Sequence, residues 1–559
     1  MKFLPEHKSK EVLEKYGIKT ARCIFVDDED AAVNAAREIG YPVVMKIVSD
    51  EIIHKSQAGG VLLNLRSDDE VRKGFRRLMA MDSVYGVTVQ PMLEKGIEVI
   101  VGVIENEQFG SVIMFGLGGI FVEVFRDVSF RLIPITKRDA MEMIGEIRGH
   151  RIIKNNEMVA ELLVKISEVA IKENIVEMDL NPIFVYENDY AVVDARMWVG
   201  KRREFEKKVK EIGDLINPKS VAVIGASANP LKVGNAALKS LLVNPKIKVY
   251  PVNPKLDEIN GIKVYPSVKE IPNKIDLAIV AVPAEKVVSA VKDASSKVKN
   301  FVIISSGFRE AEYREGEILQ NELTEIVKNK NIRIIGPNTF GIVNVVGKIN
   351  ASFTPLFGNL KPGKVALVSQ SGGICHYVIH THPDLGFSYI LQLGNRCDVD
   401  FPDVLRFLSE DEHTKIVTLY IEGIDDGRGL YREAKKLSEV KPVIAYKAGK
   451  SKLADKASKS HTGSLAGDYL IYKGALRQAG VIVTNSIIEM MDLAKALSMF
   501  PKVYVGDLAL ITIQAGLGIT SLDIIDSYDV KIAKFNEVTL EKLHTLLPVS
   551  YTHLTLPTN

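Results

Sequence analysis

A single histidine, His461, sits in the stretch KASKSHTGSLAGD, residues 456–468, among small polar residues, with two glycines after it and lysines before it. An imidazole that carries a phosphoryl group needs open space on both sides, a carboxylate on one ring nitrogen, and fixed N–H dipoles to hold the phosphate. Two other stretches can supply these. VTLYIEGIDDG ends a strand pattern at Glu422, and KVALVSQSGGICHYV runs from a strand into Ser371-Gly372-Gly373 and then a helix, whose exposed N–H groups suit a dianion. Strand C-termini in an open α/β sheet gather ligands in one crevice, so Ser371, Gly372, Glu422 and His461 are expected to converge. Taken alone, the loop also fits an ordinary surface histidine.

A second group lies near the N-terminus. Lys46 sits inside the apolar run YPVVMKIV, where an ammonium must meet an anion or pay a desolvation penalty. A phosphate satisfies it, and so does an edge-strand position from which the lysine reaches water. Gly59-Gly60 would let a backbone approach a phosphate closely. Gln90 to Leu93 form a hinge able to offer backbone groups to an adenine, and Glu98 is within sequence reach of a ribose or metal. In VEMDLNPIFVYENDYAVVDARM, a period of two puts Glu177, Asp179 and Asn181 on one strand face. After a turn at Asn188-Asp189, a second strand delivers Asp194. Hard oxygen donors on paired strands suit Mg²⁺ carrying a nucleotide; a solvated hairpin face is the other reading.

A third group is SVAVIGASANPLKVGNAAL, a strand, a Gly-rich turn and a helix, with Gly225, Ser227 and Gly234 but no GxGxxG. The next strand ends at Asn253-Pro254-Lys255, without the acid that would bind the ribose of NAD. Lys255 instead suits an extra phosphate such as the 3′-phosphate of coenzyme A. DLAIVAVPAEKV ends a further strand at Val282-Pro283.

The elements that position these residues follow from the bulk pattern. The chain has 559 residues, 46% hydrophobic and 25% charged, with a net charge of +2. That predicts three to five domains and gives no argument for nucleic acid or membrane as partner. Three cysteines without a metal-type spacing fit a reducing cytoplasm. Apolar runs such as SVAVIGAS, NFVIISSG, YPVVMKIV and LALITIQAG alternate with helical stretches. They predict an α/β class with several sheets of parallel strands buried on both faces. The charged stretch 201–220 is expected to be a helical linker, and FTPLFGNLKPGK, 353–364, a second boundary.

The quoted stretches carry a resemblance. Residues 1–200, through HKSQAGGV, GLGGIFVEVFRDVSFRLIPI and DLNPI…VDAR, resemble the ATP-grasp fold of the NDP-forming acyl-CoA synthetase β subunit. This implies ATP contacts at Lys46 and Glu98, Mg²⁺ ligands Asn181 and Asp194, and a phosphoryl-carrying role for His54. The block through SSGFRE and IIGPNTFGIVN resembles the CoA-binding domain of succinyl-CoA synthetase α subunits, implying CoA contacts at Gly225, Ser227, Lys255, Val282 and Pro283, with Asn338 near the acyl group. Ser460-His461-Thr462-Gly463, Glu422 and SQSGG match the family's active-site histidine motif, glutamate and helix start in its flavodoxin-like domain. Cys375 and His376 stand where the ADP-forming branch usually has small residues, which could reshape the acyl pocket; His376 and His382 also fit plain helix-surface positions.

The resemblance implies ATP-grasp (1–205), a linker (206–216), a Rossmann-like CoA-binding domain (217–350), a flavodoxin-like domain with a phosphohistidine (360–500) and the start of a further such domain (501–547). Residues 548–559, PVSYTHLTLPTN, resemble a translated sequencing adapter and are set aside; a genuine C-terminal tail is the alternative. The implied activity is acid–CoA ligation, acid + ATP + CoA giving acyl-CoA, ADP and phosphate. An acyl phosphate forms near Asn338 and Ser371, CoA attacks it, and His461, held by Glu422, relays a phosphoryl group to or from His54 or ADP–Mg²⁺. Acetate or a short acid is the expected substrate, with 3-hydroxypropionate or 4-hydroxybutyrate as alternatives. A homodimer in the cytoplasm is expected. A non-catalytic CoA-sensing module, or a regulatory part of an acetyltransferase, is the reading of another class.

Overall fold

The computed structural model describes residues 1–52, 55, 58–119, 127–203, 205, 209–311, 314–451, 469–500, 506–512, 514–528 and 530–546. They fall into two compact units, 1–498 and 499–559.

After the short strand Lys2–Leu4 comes the helix Glu6–Lys15, closed at Gly17, whose φ of 68° suits a residue without Cβ. Two sheets follow. Strands Ile24–Val26, Gly86–Pro91, Val43–Val48 and Val61–Leu65 form one, in that spatial order. Strands Lys2–Leu4, Ala195–Val199, Ile175–Val185, Ile97–Asn106, Gly110–Leu117 and Val128–Leu132 form the other, with Tyr190–Val192 paired to Ile175–Val185. Pairing in both is antiparallel throughout. The apolar run at Val43–Val48 was expected to mark a parallel strand, and this is corrected. All six of its residues are buried, and burial on both faces, not strand direction, is what produces such a run. One face packs under helices Glu29–Ile39 and Asp68–Met79.

Two parallel sheets follow. The first runs, in space, Lys248–Val252, Ser220–Ile224, Ile275–Val280, Val298–Ile303, Arg333–Ile335. The second runs Phe387–Gln392, Pro362–Ser369, Ile416–Ile421, Val443–Lys447, Ile482–Val483, extended beyond Phe387–Gln392 by the antiparallel pair Gly341–Asn344 and Ile349–Ser352. Numbered by chain position, the parallel strands of each sheet lie in the order 2-1-3-4-5. Each therefore has a switch point between its first and third strands, where a ligand crevice opens at the strand C-termini.

The linker expectation is also corrected. Among the described residues between 201 and 219, only Gly213–Ile216 is helical, with Leu215 and Ile216 buried. The rest is charged and has no apolar stripe to bury, so nothing favours a longer helix.

The N-terminal and third domains share a core: Phe109, Val112, Phe130 and Leu132 pack with Tyr472, Ala475 and Leu476. The Phe109 ring meets Tyr472 edge-on at 4.9 Å. Gln478 donates to Leu132 O (3.0 Å) and accepts from Leu132 N (2.7 Å). Gln108 donates to Ile424 O (2.6 Å), and its own carbonyl accepts from Gly427 N (2.9 Å).

In the second unit, the described helices are Ala515–Ser527 and Glu537–Leu546. LALITIQAG was expected to be a strand. Its described residues make one isolated bridge, Leu508 to Ile532, and are largely exposed. An apolar run becomes a buried strand only with neighbours on its edges and helices on its faces. Residues 548–559 lie outside the described residues.

Candidate active site

Lys46 lies at the centre of its strand and is buried. Its Nζ donates to Glu6 Oε1 (2.8 Å) and Val193 O (3.1 Å), and stands 3.9 Å from Asp194 Oδ2. Glu6, also buried, gathers two more lysines, Lys10 at 3.1 Å and Lys55 at 3.0 Å. Burial opposes ionisation of Glu6, but Lys46, Lys10 and Lys55 outweigh it and hold the carboxyl well below the usual range. Burial pulls Lys46 downward, yet Glu6 and then Asp194 raise it above its ordinary value, so it stays an ammonium. Three cations on one buried carboxylate leave positive charge over, which a phosphate would balance.

Gln90 points into this cluster, donating to Glu6 Oε1 (2.5 Å) and accepting from Lys10 (2.9 Å). Its backbone is laddered opposite Val44. Its side chain thus braces the cluster, while Leu93 lies just past the strand end, half-buried. Glu98 is half-buried on Ile97–Asn106, its carbonyl accepting from Gly118 N at 2.7 Å. Glu177, Asp179 and Asn181 alternate outward on Ile175–Val185. Ala195 pairs with Leu180, which brings Asp194 opposite the exposed Asn181 at the next rung, and Val193 N donates to Pro182 O (3.0 Å) there. Two hard oxygen donors next to Lys46 suit a Mg²⁺ that keeps several waters and takes phosphate oxygens. No group of three or more His, Cys, Asp or Glu poised for a metal occurs among the described residues.

Glu6, Lys10 and Lys55 escaped the sequence reading. The signal was present: Glu6 and Lys10 lie four apart on the buried stripe of the first helix, together with Ser9 and Leu13. Charges on an apolar face need partners.

In the second domain, Gly225 follows the first strand and Val282-Pro283 the third, so the two flank the switch point. Ser227 Oγ accepts from Asn229 N (3.1 Å), and Ser227 O from Asn235 Nδ2 (2.8 Å). Lys255 is exposed, its N–H held by Asn253 Oδ1 at 2.9 Å. Pro283 caps the helix Ala284–Ala294. Gly225 has φ 90°, and a Cβ there would stand 2.5 Å from Ala281 O. Gly225→Ala is therefore expected to cost about 1–3 kcal/mol of stability and to weaken CoA binding at least tenfold, measured by melting and by titration with CoA.

In the third domain, Ser371 begins the helix Gly372–Thr381, its N–H donating to Ser369 Oγ (3.0 Å). Glu422 follows the third strand and is only 7% exposed. Gln370 Oε1 accepts from Glu422 N (2.5 Å) and Gly423 N (3.1 Å), so Ser371, Gly372 and Glu422 meet at this second switch point. The fully buried Lys447 donates to Glu422 O at 3.0 Å. Tyr420 is pushed up by burial and by the Glu422 carboxylate, to which it hydrogen-bonds.

A hydrogen-bonded path joins the two crevices. Ser305 Oγ donates to Val282 O (2.5 Å), and Asn338 N to Ser305 O (2.9 Å). Gln392 Nε2 donates to Asn338 O (3.4 Å) and Gln370 O (3.0 Å), and Gln370 holds Glu422. Asn338 itself has φ 60° in the turn after Pro337. Gln370 and Gln392 were not singled out from sequence.

His461 and His54, the two candidate phosphoryl carriers, lie outside the described residues. Cys375 is buried in an apolar cluster, which pushes its thiol up to about 12. His376 is half-buried against the Phe357 ring at 4.8 Å. His382 is not a surface residue: it is buried at the helix end, Nε2 3.3 Å from Asp492.

Residues 1–199 match an ATP-grasp domain family, 219–345 a CoA binding domain, and 362–497 a succinyl-CoA ligase like flavodoxin domain. The chain is 45% identical to acetate–CoA ligase [ADP-forming] II of Archaeoglobus fulgidus, covering 98% of this chain and 82% of that one. Its N-terminal part is 49% identical to the β subunit of acetate–CoA ligase [ADP-forming] I of Pyrococcus furiosus, covering 35% of this chain and 90% of the subunit. A solved dinucleotide-forming acetyl-coenzyme A synthetase 1 of Ca. Korarchaeum cryptofilum, in complex with phosphate and ADP, matches with TM-score 0.57 and 35% identity over 60% of this chain and 73% of that one. The chain belongs to the ADP-forming acetate–CoA ligase family.

Proposed function

We propose that the protein joins a short carboxylic acid, with acetate first, to coenzyme A at the expense of ATP, releasing ADP and phosphate. The observation that carries this is the relative 45% identical along nearly the whole chain, together with two switch-point crevices linked through Ser305, Asn338, Gln392 and Gln370. The same breadth of likeness favours acetate over 3-hydroxypropionate and 4-hydroxybutyrate, and a ligase over a CoA-sensing module.

The work divides by domain, with boundaries near 205, 217, 350, 360 and 500. Lys46, Lys55 and Lys10 receive the ATP phosphates, Leu93 and Glu98 face the nucleoside, and Asn181 and Asp194 hold Mg²⁺. The ion, when bound, neutralises charge on the phosphate oxygens. Gly225, Ser227, Lys255, Val282 and Pro283 receive CoA. In the ATP-making direction, phosphate attacks the acyl-CoA carbonyl and the CoA thiol leaves. His461, oriented by Glu422, attacks phosphorus of the acyl phosphate and the carboxylate departs. The phosphoryl group then passes to ADP, directly or through His54. Ser371 and Gly372 hold its oxygens with their N–H groups. In acyl-CoA synthesis every step reverses.

No helix among the described residues is long and apolar enough to cross a membrane. A cytoplasmic homodimer is the assembly we propose. The expected outcome with a panel of acids is ADP release dependent on both acid and CoA, highest with acetate. A higher kcat/KM for a hydroxyacid would reassign the substrate, and ADP release independent of CoA would defeat the ligase assignment.

A further inference from the structure

Two cavities in the first unit lie away from all three groups above. One, of about 550 Å³, opens between the edge of the N-terminal sheet, the joining segment after residue 200 and the helix Gly427–Ser438. The other, of about 360 Å³, adjoins it and shares Arg202 and Arg203. Such volumes lie in the range of small-ligand sites, about 300–1,000 Å³.

The lining of the larger one is cationic: Arg202, Arg203, Arg428, Arg432, Lys435 and Lys436, against Glu439. The spacing explains four of the six. Positions 428, 432, 435 and 436 recur every three or four residues along one stripe of the helix, opposite the buried Leu430, Ala434 and Leu437. The other two come from the joining segment.

Three of these six charges are anchored by neutral groups. Arg428 donates to Ile133 O (2.7 Å) and Ser111 O (3.2 Å). Arg202 Nε donates to Ser111 Oγ (3.0 Å), and Arg203 Nη1 to Glu107 O (2.8 Å). Carbonyls and hydroxyls fix a guanidinium without cancelling its charge. Glu105 accepts from Ser111 Oγ and Arg203 N, whereas Glu433 pairs with Arg432 (3.3 Å) and Lys436 (3.0 Å) and offsets part of their charge, leaving Arg202, Arg203, Arg428 and Lys435 in excess. Burial pushes Arg428 below its usual value, with Arg202 adding to it and Tyr431 and Glu105 opposing. Two half-buried rings, Phe205 and Tyr431, complete the wall.

We propose that this seam binds an anion with two or more linked phosphates, a nucleoside di- or triphosphate or an inorganic polyphosphate, at a site separate from the ATP-grasp cluster. Forks of guanidinium groups in a concave, partly desolvated wall match phosphate oxygens, and several point charges select a polyanion over a monoanion. A ligand there touches the N-terminal half, the joining segment and the third domain at once, so it strengthens the contact between halves.

The test is calorimetric titration of the full chain with tripolyphosphate at about 0.15 M salt, where surface charge is screened. Two binding events are expected, one at the ATP-grasp cluster and one at the seam. In Arg432→Glu/Lys435→Glu the seam event should weaken at least tenfold while the other stays. In the control Lys274→Glu/Lys299→Glu, on an exposed face elsewhere, both should persist. ADP in place of tripolyphosphate identifies the source. Binding of both assigns recognition to the phosphates, and binding of ADP alone assigns the rings a part, with Tyr431→Ala then weakening ADP. A single event in the wild type with tripolyphosphate and with ADP alike, or equal losses in the seam and control variants, overturns the proposal. Unchanged melting of each variant secures the comparison.

Discussion

His461→Ala should lower acyl-CoA formation by on the order of 10³-fold or more and, in a His54→Ala background, abolish the acid-labile label left by [γ-³²P]ATP. The argument is chemical. A covalent carrier cannot be replaced by positioning, because the phosphoryl group has nowhere to rest between its two sites. Glu422 grades the effect. Its backbone is pinned by Gln370 and Lys447 and its carboxylate meets Tyr420, so it can hold one imidazole nitrogen rigidly and leave the other nucleophilic. Glu422→Gln keeps the shape and removes the charge. A loss of about 10²-fold in kcat with little change in KM for CoA is expected. Full labelling in the double variant His54→Ala/His461→Ala would end the relay idea, whereas an unaltered rate in Glu422→Gln would remove only the orienting role.

Glu6→Ala should be among the most destabilising single changes in the N-terminal domain. It leaves Lys10, Lys46 and Lys55 buried without their shared carboxylate, at a cost of about 3–5 kcal/mol and a melting point lower by roughly 10 °C. The pH dependence has a definite sign. The Glu6 carboxyl is held well below its unfolded value of about 4.3. The stability it contributes is therefore fully present above that value and lost as pH falls through the folded one. Urea melts of the wild type between about pH 6 and pH 3 should lose stability steeply, and Glu6→Gln should flatten that slope. Parallel slopes in the two proteins would show that the cluster's charge does not govern acid stability. ATP should bind Glu6→Gln more weakly as well, since the lysines lose their common anchor.

Much of this site was legible because each group announces itself locally. Lys46 in an apolar strand, Gly225 in a tight turn, and Ser371-Gly372 opening a helix are statements about a few neighbouring residues. What stayed hidden depends on separation in sequence. Gln370 and Gln392 look like ordinary strand-end residues until the sheet order brings them between Asn338 and Glu422. Glu6 serves Lys46 forty residues away. The direction of Val43–Val48 was misjudged because burial leaves the same apolar run in either orientation, and direction is set by connections. The expected surface position of His382 failed because the helix Ile487–Met499, far along the chain, supplies Asp492 to cover it.

The contact between the N-terminal and third domains has a consequence for assembly. It combines a buried apolar core with hydrogen bonds through Gln108, Gln478 and Arg428, and the matching part in Pyrococcus furiosus is a separate β subunit. Between separate chains, such a contact competes with dilution. Here the partner is tethered a short segment away, at an effective concentration on the order of millimolar. The halves meet at any protein concentration, so the core that Phe109, Val112, Phe130 and Leu132 share with Tyr472, Ala475 and Leu476 forms without the association step that separate chains require.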